Sequence, residues 1–515
     1  MRDFHFPGRS PTFATNAMVA TSHPLAAAEA LAVMRDGGNA VDAAITGAVL
    51  LGLCEPQMTG IGGDLFALVK PAGTNEITAL NGSGRAPAAL DPEALRDEGL
   101  EKIAVGHPAS VTIPGAVDAF CKLSKRFGRA GLDRCLAPSI RYFETGVPVA
   151  PRVAADISPT PEVFNEAALR HYPRAGTPDG TGEAFAQPAQ AALLKRIARE
   201  GRDAFYTGEA ARDMLTALHA AGGVHTEEDF AATEATWGTP VSGPYRGRTV
   251  FEHPPNGQGA IALLIAGILA EFDLAALDPN GADRFHLEAE ATRLAYDARN
   301  RLLADPDHMT RLDHLLLPET ARRLAALIDP KRAMAEVAPL TEDVHRDTIL
   351  ITAVDGDGMA VSLIYSIFAT FGSGICSDTY GILLHNRGSG FNLTPGHPNE
   401  AGPRKRPMHT IIPGMAGTNG TVDLTFGVMG GQYQACGHAH LLSNMIDFGM
   451  DPQAAIDAPR AFADPISGVL QIERGIDDAV RQELANRGHR VGDPPTAIGG
   501  AQAILMDTAR GILVG

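Results

Sequence analysis

Residues 347–366, Asp-Thr-Ile-Leu-Ile-Thr-Ala-Val-Asp-Gly-Asp-Gly-Met-Ala-Val-Ser-Leu-Ile-Tyr-Ser, constrain this chain more than any other stretch. Two β-rich runs, 348–354 and 359–367, flank the turn Asp355-Gly-Asp-Gly358, which predicts a β-hairpin. Thr348 stands at the head of the first strand. Cleavage before it would put a hydroxyl and a free α-amine on one carbon, and the amine can then act as base for the hydroxyl. The hairpin alone does not ask for cleavage, because a threonine that starts a strand is ordinarily only a β-former.

The rest of the chain bounds what such a hairpin can serve. With 515 residues, 45% of them hydrophobic, a large core is available, and 56 glycines suit many close turns. A net charge of −17 argues against a nucleic-acid or anionic-membrane partner. It leaves room for a local basic pocket that takes an acidic substrate. Residues 1–9 lack the apolar core of a secretion signal, and the apolar run 40–53 is interrupted by Asp42 and Thr46. The expectation is a cytoplasmic protein with no membrane partner. Five cysteines without a CxxC pair indicate neither a disulfide framework nor a zinc site. His438 and His440 fall two apart on a predicted helix, where side chains diverge, so no metal is expected there. Nothing indicates another cofactor: HExxH and GxSxG are absent, and Gly60-Ile-Gly-Gly-Asp64 lacks the spacing of a phosphate loop. Close backbone packing is the better reading of that loop.

Helical runs are expected at 24–36, ending on Gly37-Gly38, and from an Asn39 cap to about Leu53. Strands are expected at 65–69 and 77–81, and helices near 114–127 and 132–144. Residues 188–330 read as a mostly helical scaffold that includes a capping box at Thr226-Glu-Glu-Asp229. The polar segment between Ile328 and Thr348 reads as an exposed connector, where a processing site would be accessible. Beyond the hairpin, a strand at 380–386, a Gly/Pro-rich loop, a hairpin of 410–416 with 421–428 and a helix after Gly430-Gly431 are expected. Helices at 452–460 and 477–487 and strands near 469–473, 501–506 and 511–514 finish the chain. Strands followed by helices predict sheets covered by helices.

From Asp347-Thr348 onward the chain resembles the gamma-glutamyltransferase (glutathione hydrolase) family of N-terminal nucleophile (Ntn) hydrolases, in its acylase-like branch. The matching pieces are Phe371-Gly-Ser-Gly374, Gly381-Ile-Leu-Leu384 with Asn386, Gly402-Pro-Arg-Lys-Arg-Pro407 and Gly430-Gly431. Ser22-His-Pro-Leu25, Gly37-Gly-Asn-Ala-Val-Asp42 and Gly60-Ile-Gly-Gly-Asp64 extend the likeness toward the N-terminus. The resemblance implies an α/β (α+β) fold, an αββα sandwich of two stacked mixed sheets flanked by helices. It implies autocleavage between Asp347 and Thr348 into a helix-rich large chain, 1–347, and a small chain, 348–515. These would be partners in one intertwined unit, and a dimer of such units is allowed.

The roles that the resemblance implies are specific. Thr348 is the nucleophile, Gly430 and Gly431 form the oxyanion hole, and Ser366 keeps a hydroxyl beside Thr348. Thr352, on the same face, either supports the amine or is an ordinary strand threonine. The glutamyl-recognising residues depart from the family pattern: Ser83 stands where an arginine is expected, with Arg85 two residues on. Phe368 replaces an asparagine, His409 and Thr410 replace paired serines, and Arg387 and Gly390 replace a glutamine and an aspartate. Arg387 offers a fixed cationic fork suited to a carboxylate, or it pairs with an internal acid. The expected substrate is a small anionic amide, with glutathione or another gamma-glutamyl compound as one candidate and an oxamate- or glutaryl-type amide as the other. Water or an amine would accept the acyl group. An uncleaved binding protein is the reading from another class.

Overall fold

The computed structural model describes residues 8–157, 163–173, 180–334 and 348–515. The hairpin forms as expected: Ile349–Val354 and Ala360–Ser366 pair antiparallel, with Thr352 opposite Ser362. It lies inside a six-stranded sheet whose order is Met18–Thr21, Ile349–Val354, Ala360–Ser366, Asp64–Lys70, Thr78–Gly82, Thr236–Gly238. Strands from both sides of residue 348 therefore share one sheet.

Alternation sends the two faces of the hairpin to different layers. Ile349, Ile351 and Ala353 join the core made with helices Pro24–Arg35, Ala40–Cys54, Ala116–Phe127 and Leu132–Thr145. Leu350 and Val354 point the other way, where Phe66, Ile411, Met415 and Ile504 meet them. That second face abuts a seven-stranded sheet, ordered Phe13–Ala14, Ile512–Val514, Gly500–Asp507, Thr421–Met429, Pro413–Thr418, Arg248–Glu252, Val241–Tyr245. The sheets are tied by side chains: Ser362 Oγ donates to the Phe426 carbonyl at 2.7 Å, and Thr425 Oγ1 donates to that of Val361 at 3.1 Å. Gly427 lets them come close, since a Cβ there would lie 2.8 Å from Leu350 Cδ1. Helices Gly259–Leu269, Ala282–Leu302 and Gln434–Ile446 cover the outer face of the second sheet. The result is the four-layer αββα sandwich, with every pair in both large sheets antiparallel where mixed sheets were expected.

The differences from expectation have local causes. The segment taken as helical scaffold contains the strands Thr236–Gly238, Val241–Tyr245 and Arg248–Glu252. Its hairpin turns on Arg246 (φ 47°) and Gly247 (φ 79°), the left-handed pair that matches strand twist. Residues 380–386 form no strand. Their backbone instead packs on the glycine loop, with the His385 amide donating to the Gly62 carbonyl at 3.0 Å. A Cβ on Gly62 would sit 2.2 Å from the Leu383 carbonyl, and one on Gly63 would sit 2.4 Å from that of Ser366, so the loop serves close packing. The expected helix at 452–460 shortens to Pro452–Asp457. The capping boxes at Asn39 and Thr226 both form. Most of the predicted connector, including Asp347, lies outside the described residues. Among the described residues, no helix is long and apolar enough to cross a membrane.

Candidate active site

Thr348 precedes the first hairpin strand and is almost wholly buried, at 2% exposure. The register carries it to the face that looks between the sheets, across from Ser366. Thr348 Oγ1 lies 3.5 Å from Ser366 Oγ, a loose contact, and Ser366 Oγ accepts the Phe368 amide at 2.9 Å. Thr352 is about 13 Å further along the strand, too far to serve the Thr348 amine. It is a strand threonine paired with Ser362 and Ala20.

A cleft of about 1030 Å³ opens onto Thr348. Its wall includes Met429 at the end of a central strand, followed at once by Gly430 (φ 131°) and Gly431 (φ 54°). A side chain at residue 430 would strike the Ile498 carbonyl at 2.4 Å. The two glycines turn the chain so that backbone amides, rather than side chains, can face the cleft. A short 3-10 turn, Gly431–Tyr433, then leads into the helix Gln434–Ile446. An N-terminus of this kind favours developing negative charge.

Beside Ser366 lies a buried polar cluster that only the fold assembles. Asp64 pairs with Ser366 across the strands. Its carboxylate accepts the amides of Gly84 at 3.1 Å and Gly115 at 3.4 Å. His409 Nε2 lies 3.2 Å from it and His385 Nδ1 lies 3.4 Å from it. Arg387 is fully buried, stacks on Phe368 at 4.0 Å, and donates from Nη1 to Thr410 Oγ1 at 3.2 Å. Among the described residues its Nε and Nη2 have no hydrogen-bond partner. Phe368 itself sits at φ 79°, a costly conformation for an aromatic residue and one found where surroundings over-determine it.

The charges in this cluster follow from its burial. Burial raises the Asp64 carboxyl, but His385, the hydrogen bond from His409 and the Arg387 charge outweigh it and bring it to about 2. Burial lowers Arg387 to about 9 against the pull of Asp64. Burial, then Arg387, lowers His409 to about 3, and burial also lowers His385. Near neutral pH the cluster therefore holds one carboxylate, one guanidinium and two neutral imidazoles.

Ser83 and Arg85 are placed differently. Ser83 Oγ accepts from Asn256 Nδ2 at 3.1 Å, and its carbonyl accepts from Arg406. Arg85 is 38% exposed and donates to Asp305 at 3.2 Å and to the Arg404 carbonyl at 2.9 Å. Gly390 passes its carbonyl to Asn399 Nδ2. His438 and His440 diverge as their spacing predicts, to Glu252 at 2.8 Å and Glu288 at 3.1 Å. Two further residues of this cluster were not singled out from sequence: Asp64, read only as the end of a packing loop, and His385. An acid heading a buried apolar strand was the available signal.

The gamma-glutamyltranspeptidase family model matches residues 26–515. A glutathione hydrolase-like YwrD proenzyme of Bacillus subtilis is 34% identical over 96% of this chain and 95% of that protein. An oxamate amidohydrolase proenzyme of Klebsiella pneumoniae is 33% identical over 96% of each. The cephalosporin acylase of Bacillus halodurans superposes with a TM-score of 0.91 at 37% identity, covering 100% of this chain and 96% of that one. These likenesses span the hairpin, both sheets and the glycine turn. The chain belongs to the gamma-glutamyltranspeptidase family and is an enzyme of the Ntn hydrolase type.

Proposed function

We propose that this chain is a glutathione hydrolase-like amide hydrolase or acyltransferase, matured by cleaving itself before Thr348 and working through a threonyl acyl-enzyme. In maturation, Thr348 Oγ attacks the carbonyl carbon of Asp347, the peptide bond becomes an ester, and water hydrolyses that ester. The products are 1–347 with a new carboxylate and 348–515 with a free α-amine. In turnover the amine takes the Oγ proton, Oγ attacks the substrate amide carbonyl, and the Gly430-Gly431 turn supplies amides to the oxyanion. The leaving amine departs with the proton. Water, or an amine acceptor, then takes the acyl group from Thr348.

The observation that carries this reading is the hairpin register, which holds Thr348 at a strand head facing Ser366 on the wall of the cleft. The proenzyme names of the relatives support it. The two product chains would stay together, because Ile349–Val354 is hydrogen-bonded to Met18–Thr21 and Ala360–Ser366 to Asp64–Lys70. N-terminal sequencing of the purified protein tests the cleavage. A fragment that begins at Thr348 is expected, and a single intact chain after long incubation would sink it.

A second reading concerns the acyl group. Nε and Nη2 of Arg387, without a hydrogen-bond partner among the described residues, suit a carboxylate, whereas the nearby carboxylate of Asp64 is already engaged by two amides and two imidazoles. A substrate ammonium therefore has no evident partner among these groups, and this favours an anionic acyl group without the α-amine. Comparing gamma-glutamyl-p-nitroanilide with glutaryl-p-nitroanilide decides it. Preference for the glutaryl amide is expected, and strong preference for the gamma-glutamyl amide overturns this second reading while leaving the first intact.

A further inference from the structure

The loop Pro254-Pro-Asn-Gly-Gln-Gly259 reads in sequence as plain structure. In the fold it runs between the two halves of the site. Gln258 is fully buried just ahead of the helix Gly259–Leu269. Its Nε2 donates to the Thr410 carbonyl at 2.7 Å and to the Gly431 carbonyl at 3.3 Å. Its Oε1 accepts from Arg299 Nη1 at 2.8 Å, and its own amide donates to the His409 carbonyl at 3.1 Å. One side chain thus touches the glycine turn, the residue that holds Arg387, and a buried cation from the helix Ala282–Leu302.

We propose that Gln258 is a positioning residue that locks the oxyanion turn to the anion pocket. The Gly431 carbonyl accepts the Gln434 amide from within its 3-10 turn, and with no side chain at residue 431 a tie from this turn to the anion pocket comes from an outside hydrogen bond. Gln258 supplies one, and the same NH2 group fixes Thr410, whose hydroxyl accepts from Arg387. The neighbouring residue Asn256 continues the tie: its carbonyl accepts the His409 amide at 2.8 Å, and its Nδ2 donates to the Pro407 carbonyl at 2.6 Å. The chemistry needed at residue 258 is two donors on one nitrogen and an acceptor facing a guanidinium, which a primary amide provides. Glutamate would satisfy Arg299 yet turn an acceptor toward two carbonyls.

That difference makes Gln258→Glu the test, run on the full precursor with whichever of the two p-nitroanilides the wild type hydrolyses. The proposal rests on the reaction proposed above, so self-cleavage, which needs no substrate assignment, is followed in parallel. The expected result is a kcat roughly 10- to 100-fold lower and a smaller change in KM. Activity should partly return as pH falls, since a protonated carboxyl regains one O–H donor. Wild-type kcat with an unaltered pH profile would overturn the proposal and leave Gln258 as no more than a partner for Arg299. Should Gln258→Glu not fold, Gln258→Asn draws the amide back by one methylene and is expected to lose kcat likewise; unchanged kcat there also overturns the proposal. A wild type that neither cleaves itself nor hydrolyses either amide sinks the proposed reaction, and this proposal with it.

Discussion

The site has two halves of opposite construction. The reacting half is built from the main chain: a strand head at Thr348, a facing strand end at Ser366 and a turn of two glycines. The half proposed to recognise the acyl group is built from side chains: Asp64, His385, Arg387 and His409 come from separated segments and meet in a buried cluster. Main-chain geometry is set by strand register and φ, so it tolerates changes in neighbouring side chains. A cluster of buried charges depends on every member, because removing one leaves another uncompensated. A chemistry can therefore persist while the acyl group that it handles changes.

The comparison breaks most sharply at the nucleophile. Thr348→Ala should remove both the fragment starting at residue 348 and all turnover above background, a loss on the order of 10⁴-fold or more by the measure of other nucleophile deletions. Residual turnover in quantitative rate assays would mean that another group attacks. Arg387→Ala should cost less and only one of the two activities. A fall of about 100-fold in kcat/KM on anionic amides is expected, of the size seen when one partner of a buried charge contact is removed, with self-cleavage retained on a denaturing gel. Equal loss of both would make Arg387 a structural cation and merge the two halves.

Acid titration probes the recognising half alone. His409 stays neutral in the fold down to about 3. The unfolded chain binds a proton there below an ordinary value of about 6.5. Stability should thus fall as pH drops from about 6.5 toward 3, by about 1.4 kcal/mol per pH unit for that proton. Asp64 is shifted in the same direction and adds to the loss at lower pH: held at about 2, its contribution is complete above its ordinary range near 4 and disappears between there and 2. Thermal melts between pH 7 and 5 should show a shallower decline for His409→Gln than for the wild type, and equal slopes would remove His409 from this account. The smallest effect is expected at Arg85, whose half-exposed ion pair with Asp305 lies apart from the cluster. Arg85→Ala should change stability by less than about 1 kcal/mol and leave kcat/KM on the anionic amide within about twofold. A larger kinetic loss would return Arg85 to the substrate pocket.

What could be read without a structure was local. The hairpin at 348–366, the Asn39 and Thr226 caps and the turn at Gly430-Gly431 each depend on residues within a few places of one another, so propensity and turn chemistry reach them. The strands at 241–252 were not legible as such: they form a local hairpin, but it is anchored in a sheet through Pro413–Thr418, over 150 residues away, and pairing rather than propensity makes them strands. Residues 380–386 failed for the converse reason: an apolar run that looks like a strand spends its backbone on Gly62 and Ser377 instead of a ladder.

The sequence by itself determined the centre of the proposed reaction: a threonine heading a strand, a hydroxyl at the end of the return strand and a glycine pair at a turn. Only the tertiary structure decided what surrounds them. It set Asp64 against two imidazoles, stacked Arg387 on Phe368, paired Arg85 with Asp305 and tied Gln258 to Thr410 and Gly431. The physical reason is that covalent neighbours fix φ, ψ and register, whereas the state of a buried charge depends on groups that approach through space from distant parts of the chain.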